Sequence, residues 1–188
     1  VATAFVAVGD LRTFIDDQTL DDARAQLLLD AVSDEIRDAV GWSITQEEDQ
    51  VATLDGRGDH MLLLPTLRLT SVASIVEDGQ TLTVGDDYLV YTDGRLARMS
   101  GGRPARWTTT RQGVVVTYTH GYPAAAVPGV IKLITLEQAV RTADNPGGKL
   151  KSRTINKVAV TYAEMRQMVL PVDDSRLDRY RMPDRGFA

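Results

Sequence analysis

Residues 20–60 read LDDARAQLLLDAVSDEIRDAVGWSITQEEDQVATLDGRGDH, and a change of period inside this stretch decides the fold. From Leu20 to Val40 the apolar positions Leu20, Ala23, Leu27, Leu28, Ala31, Val32, Ile36, Ala39 and Val40 follow the helical repeat. Asp21 and Asp22 fall in the first turn, where the positive end of the helix dipole favours carboxylates. Gly41 suits the left-handed stop that ends a helix, and Trp42 can fold back onto the last turn. From Ser43 onward the spacing is that of strands, and Asp55-Gly56-Arg57-Gly58-Asp59 reads as a hairpin turn.

Working outward, Asp10 to Ile15 predicts a short helix with Leu11, Phe14 and Ile15 on one face. Strands are expected at 44–54, 60–64, 71–77, 88–91, 95–99 and 113–119, the last rich in β-branched residues. Asp78-Gly79 and Asp93-Gly94 are tight-turn signatures, so the segment reads as an antiparallel meander or small sandwich. Arg103 to Arg111 reads as a long exposed loop. A third helix starts near Pro128 and is apolar on more than one face, which predicts near-complete engulfment, either by the two N-terminal helices and the sheet or by a neighbouring subunit; Asn145-Pro146-Gly147-Gly148 stops it. Residues 149–188 hold too few large apolar side chains to fold alone, with one strand near 155–162 and a short helix over 173–181. The expected fold is α+β. Helices at 10–16, 20–41 and 128–144 form a small helical body within residues 1–148; it carries a β-rich antiparallel insert at 43–120, and residues 149–188 form an extended C-terminal interaction arm.

At 188 residues, 43% hydrophobic and 25% charged, the composition is that of a globular chain with a formal charge of −5. No stretch approaches the ~18 apolar residues of a membrane-spanning helix. The apolar residues 1–8 lack the basic leader of a signal peptide. The absence of cysteine excludes disulfides, thiol nucleophiles and thiolate metal sites. Charge is unevenly spread: residues 1–140 hold 11 basic and 20 acidic groups (11 − 20 = −9), residues 141–188 hold 10 and 6 (10 − 6 = +4). Between Asp93 and Glu137 no acidic residue occurs, while Arg95, Arg98, Arg103, Arg106, Arg111 and Lys132 do. Such a loop suits phosphates or an acidic protein surface. Residues 1–49 carry 12 acidic and 3 basic groups (3 − 12 = −9), so the sign favours the protein partner, with at most a loose, salt-sensitive contact to DNA.

The residues give no catalytic constellation. His60 and His120 have no nucleophile or carboxylate at a motif spacing, and no nucleophile elbow or zinc-binding His pair occurs. The carboxylates of Glu47-Glu48-Asp49, Asp86-Asp87 and Asp173-Asp174 are neighbours that a strand would point to opposite faces. Arg57 and a missing distal Glu spoil the half calcium loop at 55–59, and Leu150 spoils the phosphate loop at Gly147-Gly148-Lys149. The expectation is a protein with no catalytic residue, no metal and no cofactor, and not an enzyme.

The order of four stretches resembles the head-tail connector (adaptor) proteins of long-tailed bacteriophages and gene transfer agents. They are Asp10–Ile15 with Asp21–Val32 and Gly41-Trp42; Leu62–Leu67 with Val72–Ile75 and Asp78-Gly79; Val114–Tyr122 before a proline-introduced helix; and Val160–Tyr162 with Leu177–Arg181. The resemblance implies a virion structural protein of the neck, assembled in the host cytoplasm. It implies a ring, typically a dodecamer, bound beneath the portal, which extends the DNA channel and docks the next connector or a tail terminator. It also implies that the C-terminal segment reaches the portal, with Arg176, Leu177, Arg179, Tyr180, Arg181 and Met182 as the contact residues. Arg95, Arg98, Arg103, Arg106 and Arg111 would then form a basic loop facing a neighbouring subunit or the channel. A tail-completion or baseplate-type β protein is the alternative class.

Overall fold

The computed structural model describes residues 4–16, 20–144, 152–155, 158–161 and 175–183. The chain divides into two units: a helical one from Val1–Gly41 with Val127–Arg181, and a strand-rich one from Trp42–Ala126 with the residues from Met182. The α+β expectation holds, and the strand-rich unit is inserted in sequence between two helices of the other.

The helical unit holds α1 (Val8–Ile15), α2 (Asp22–Val40) and α3 (Gly129–Asp144). The Asp21 carboxylate accepts the Arg24 N–H at 2.9 Å and caps α2. At the other end Gly41, at φ 78°, donates its N–H to the Arg37 carbonyl, the left-handed stop expected there. The buried stripe of α2 is Ala25, Leu29, Val32, Ser33, Ile36 and Val40. This corrects the predicted face: Ala23, Leu27 and Ala31 point outward, with Leu27 68% exposed. Ser33 is buried because it is satisfied. It accepts the Phe5 N–H at 3.1 Å and donates to the Leu29 carbonyl at 2.6 Å. The Arg37 guanidinium stacks 4.4 Å from the Phe5 ring centroid.

α3 buries Ile131, Ile134, Thr135, Gln138 and Ala139 against α1 and α2, while Leu133 stays 40% exposed. Within the single chain α1 and α2 cover one face of the helix, and Gly129, Leu133 and Arg141 stay exposed. β9 (Ser152–Ile155) and β10 (Val158–Thr161) form an antiparallel two-stranded ribbon, and residues Ser175–Tyr180 form a 3-10 helix packed on α2. The expected stop at 145–148 and the pair Asp173-Asp174 lie outside the described residues.

The strand-rich unit has two antiparallel sheets. One runs β1 (Glu47–Leu54), β8 (Val114–His120), β3 (Leu69–Glu77), β4 (Gln80–Thr81). The other runs β2 (Met61–Leu63), β6 (Arg95–Ser100), β5 (Tyr88–Val90), with β7 (Arg103–Pro104) also on β6. β8 is paired on both sides and alternates strictly: Val114, Val116, Tyr118 and His120 are buried and the residues between are half exposed. Its inner face joins Ile75 of β3 and Leu62, Tyr88 and Leu96 of the second sheet in one core, closed by Leu64, Leu69 and Trp107. This is the small sandwich among the two expected arrangements.

Turn chemistry explains the connections. Asp78 (φ 48°) and Gly79 (φ 81°) both take positive φ, the mirror-image two-residue turn that suits a twisted hairpin, between Glu77 and Gln80. The stretch 55–59 is not the hairpin expected of it, because β1 and β2 belong to different sheets. It crosses between them alongside 108–110, with the N–H groups of Gly56 and Gly58 donating to the carbonyls of Thr110 and Thr108. Residues 103–111 likewise differ from an exposed loop: they open with β7 and bury Trp107 at 2% exposure.

Gly121 sits at φ 92°, where a Cβ would lie 2.3 Å from the Thr45 carbonyl oxygen. Gly121→Ala should therefore lower unfolding stability by about 2 kcal/mol or more, through positive-φ strain and a backbone clash. Gly9 in α1 has nothing within 4 Å of its virtual Cβ, so Gly9→Ala should raise stability by about 0.5 kcal/mol. Urea denaturation midpoints check both signs.

Candidate functional site

The basic stretch resolves into two kinds of arginine. Arg98, on β6, is 16% exposed and its Nε donates to Glu77 of β3 at 2.8 Å. Its Nη1 donates to the Asp87 carbonyl at 2.7 Å and lies 3.7 Å from the Asp87 carboxylate. The second Glu77 oxygen accepts the Thr108 N–H at 2.7 Å, and the guanidinium stands 5.8 Å from the Trp107 ring centroid. This ion pair ties β3, β5, β6 and the 105–113 segment together, so Arg98 is withdrawn from the predicted basic surface. The acid-free interval in the sequence concealed it, because its partners arrive from other strands.

Arg95, Arg103, Arg106 and Arg111 do face solvent. Arg95 pairs with Asp93 at 2.7 Å, with both side chains half exposed, and stacks over Tyr91. Arg106 donates to the Gly58 carbonyl at 2.8 Å, pinning the crossover between the sheets. These contacts are solvent-screened and leave the outer surface basic.

The C-terminal contact residues also divide. Leu177 is fully buried and Tyr180 is 9% exposed, both within the helical unit. In the single chain they anchor the 3-10 helix to its own subunit. Arg176 pairs with Glu137 of α3 at 2.7 Å, and Arg181 lies 3.2 Å from Asp178. Arg179 is exposed beside the Tyr180 ring, and Met182 is half-buried.

Around His120 the sheet holds a buried polar cluster. Its ring stacks on Tyr118 at 5.1 Å, and its Nε2 lies 3.7 Å from Glu47 on the paired strand. Its Nδ1 is buried without a hydrogen-bond partner among the described residues. Burial pushes the imidazole below its ordinary pKa, opposed by the Glu47 charge; burial, then Glu47, pushes the Tyr118 phenol up. Among the described residues no group of His, Asp and Glu is placed to hold a metal ion.

Two outcomes follow from these environments. Removing one partner of the Glu77–Arg98 pair leaves a mostly buried charge, so Arg98→Leu should cost about 3 kcal/mol, whereas Arg103→Leu should stay within about 0.5 kcal/mol; equal urea midpoints would refute the division. His120 is held neutral, so the unfolded chain binds its proton more readily. Its contribution is complete above the unfolded value of about 6.5 and is lost as pH falls from there through the lower folded value. His120→Gln should flatten the change in urea midpoint between about pH 7.5 and 5.5.

No curated protein sequence matches the chain. Its fold is similar to that of three solved chains. One comes from the neck of an empty gene transfer agent particle computed with C6 symmetry (18% identity, TM-score 0.55). Another comes from the neck of a native particle computed with C12 symmetry (16%, 0.56). The third comes from the virion of a native gene transfer agent particle (16%, 0.58). Each likeness covers 97% of this chain and 93% of the other. Residues 4–140 match the family model of the head completion proteins, a span that takes in α1, α2, both sheets and most of α3. The chain belongs to the head completion protein family, and with it to the head-tail connectors its sequence resembles.

Proposed function

We propose that this protein is the ring-forming connector of a virion neck, seated beneath the portal and lengthening the DNA channel. The protein is a virion structural component, a head-tail connector. The observation that carries the reading is the family match over residues 4–140. Its fold is shared with chains from necks computed with C6 and C12 symmetry, which supports a closed ring of identical subunits. The role is structural and not catalytic.

In this ring the exposed arginines Arg95, Arg103, Arg106 and Arg111 meet the acidic surface of an adjacent subunit. Residues 1–49 carry 3 basic against 12 acidic groups and supply the opposite sign. DNA must pass without being gripped, so these arginines serve assembly rather than phosphate binding. At the C-terminus, Leu177 and Tyr180 seat the 3-10 helix, and Arg179 and Met182 carry the contact to the portal. The segment 149–188 is the part of the chain that serves partners, and the opposite ring face receives the next connector or tail component.

Arg103→Glu combined with Arg111→Glu should weaken ring formation on purified portal, scored by electron microscopy, by about tenfold in the concentration required. The monomer's urea midpoint should hardly move. Normal rings that fail to retain DNA would assign these arginines to the channel instead.

A further inference from the structure

Of the edge strands in the two sheets, β1 and β2 flank a common groove, whereas β4 and β5 end the sheets on the other side. β1 is paired only with β8, and β2 only with β6, so each presents a free side. Between them lies a groove of about 410 Å³, lined by Thr53, Leu54, Met61, Leu63, Trp107 and the crossover residues Asp55, Arg57 and Asp59. Backbone directions along β2 are fixed by its neighbours. The His60 carbonyl accepts the Arg98 N–H and the Leu64 N–H donates to Gly94, so the alternate residues Met61 and Leu63 turn their backbone groups to the free side.

The helical unit holds the complementary piece. The β9–β10 ribbon has no third strand among the described residues. A two-stranded ribbon is marginal in water by itself and gains from another edge. Its charge is opposite to that of the groove and of β1 beside it. Residues 145–163 carry Lys149, Lys151, Arg153 and Lys157 and no acidic residue, a net of +4. The groove itself is lined by Asp55 and Asp59 against Arg57 (1 − 2 = −1), and Glu47, Glu48 and Asp49 add acidic charge at the far end of β1 (1 − 5 = −4 over residues 47–59).

We infer that the β9–β10 ribbon of one subunit adds along the free edge of β2 in a second copy of this chain, filling the groove between β1 and β2. Main-chain hydrogen bonds supply affinity, and the opposed charges fix which segment enters. Each subunit gives one ribbon and receives one, a head-to-tail contact that closes into a ring. The inference rests on the ring reading above.

The absence of cysteine makes the test clean. Met61→Cys or Leu63→Cys is combined with Arg153→Cys or Ile155→Cys in the full chain, assembled on portal and mildly oxidised. A ladder of covalent multimers of this chain, lost on reduction, is the expected result. Rings present in micrographs without a ladder overturn this contact and leave the ring reading standing. Bridges found only within single chains, or only to portal, overturn it as well. Absence of rings under every condition overturns both. As a second readout, Lys149→Glu with Lys151→Glu and Arg153→Glu should raise the assembly concentration about tenfold, and Asp55→Lys with Asp59→Lys should recover part of the loss. Failure of that recovery assigns the basic segment another partner.

Discussion

Strand β8 is the constraint on which the sheet unit depends. It is hydrogen-bonded on both sides, so its register binds β1 and β3 at once, and a slip of one residue would turn its whole buried face outward. Val114, Val116 and Tyr118 then meet Ile75 and the apolar residues of the second sheet. Bulges in β1 and β3, one of them at Asp49 with φ 50° and one in mid-strand between Val72 and Ser74, let both neighbours keep their pairing with β8. Where β8 ends, Gly121 lets the chain pass the Thr45 backbone at a distance no side chain would allow.

The second fixed point is electrostatic. Glu77 and Arg98 stand on strands of different sheets, and their pair also holds the segment carrying Trp107. An ion pair this enclosed gives little net stability against an apolar alternative, but it fixes one arrangement, since the Arg98 Nε meets Glu77 and its Nη1 meets the Asp87 and Met99 carbonyls. That is why the basic character of the surface rests on Arg95, Arg103, Arg106 and Arg111, which the same strands hold outward.

Strand positions were legible because period-two alternation and Asp-Gly turns leave few alternatives. The Asp78-Gly79 turn stands where its residues require. The inward face of α2 was legible in its second half, where Val32, Ile36 and Val40 are buried as expected, but not in its first. Ala23, Leu27 and Ala31 repeat as regularly as Ala25 and Leu29, and only the neighbours decide which series is covered. The partner of Arg98 lies 21 residues away on another strand, and Leu177 finds its place on a helix far behind it in sequence. Such pairings leave no periodic trace. The crossover at 55–59 carries the same glycines and aspartates a hairpin would, so its composition hid the groove beside it.

The insertion of one unit inside the other bears on how the family can vary. To the helical unit, residues 42–126 are one long loop joining α2 to α3. The entropy of closing a loop grows only with the logarithm of its length, about 0.6 kcal/mol per doubling. Helices that tolerate this loop tolerate a larger or smaller one at almost the same stability. The sheet unit is thus free to be enlarged, trimmed or replaced between relatives while α1, α2 and α3 keep their packing. The cost falls instead on folding speed, because α3 cannot meet α2 until the chain has closed across the whole insert.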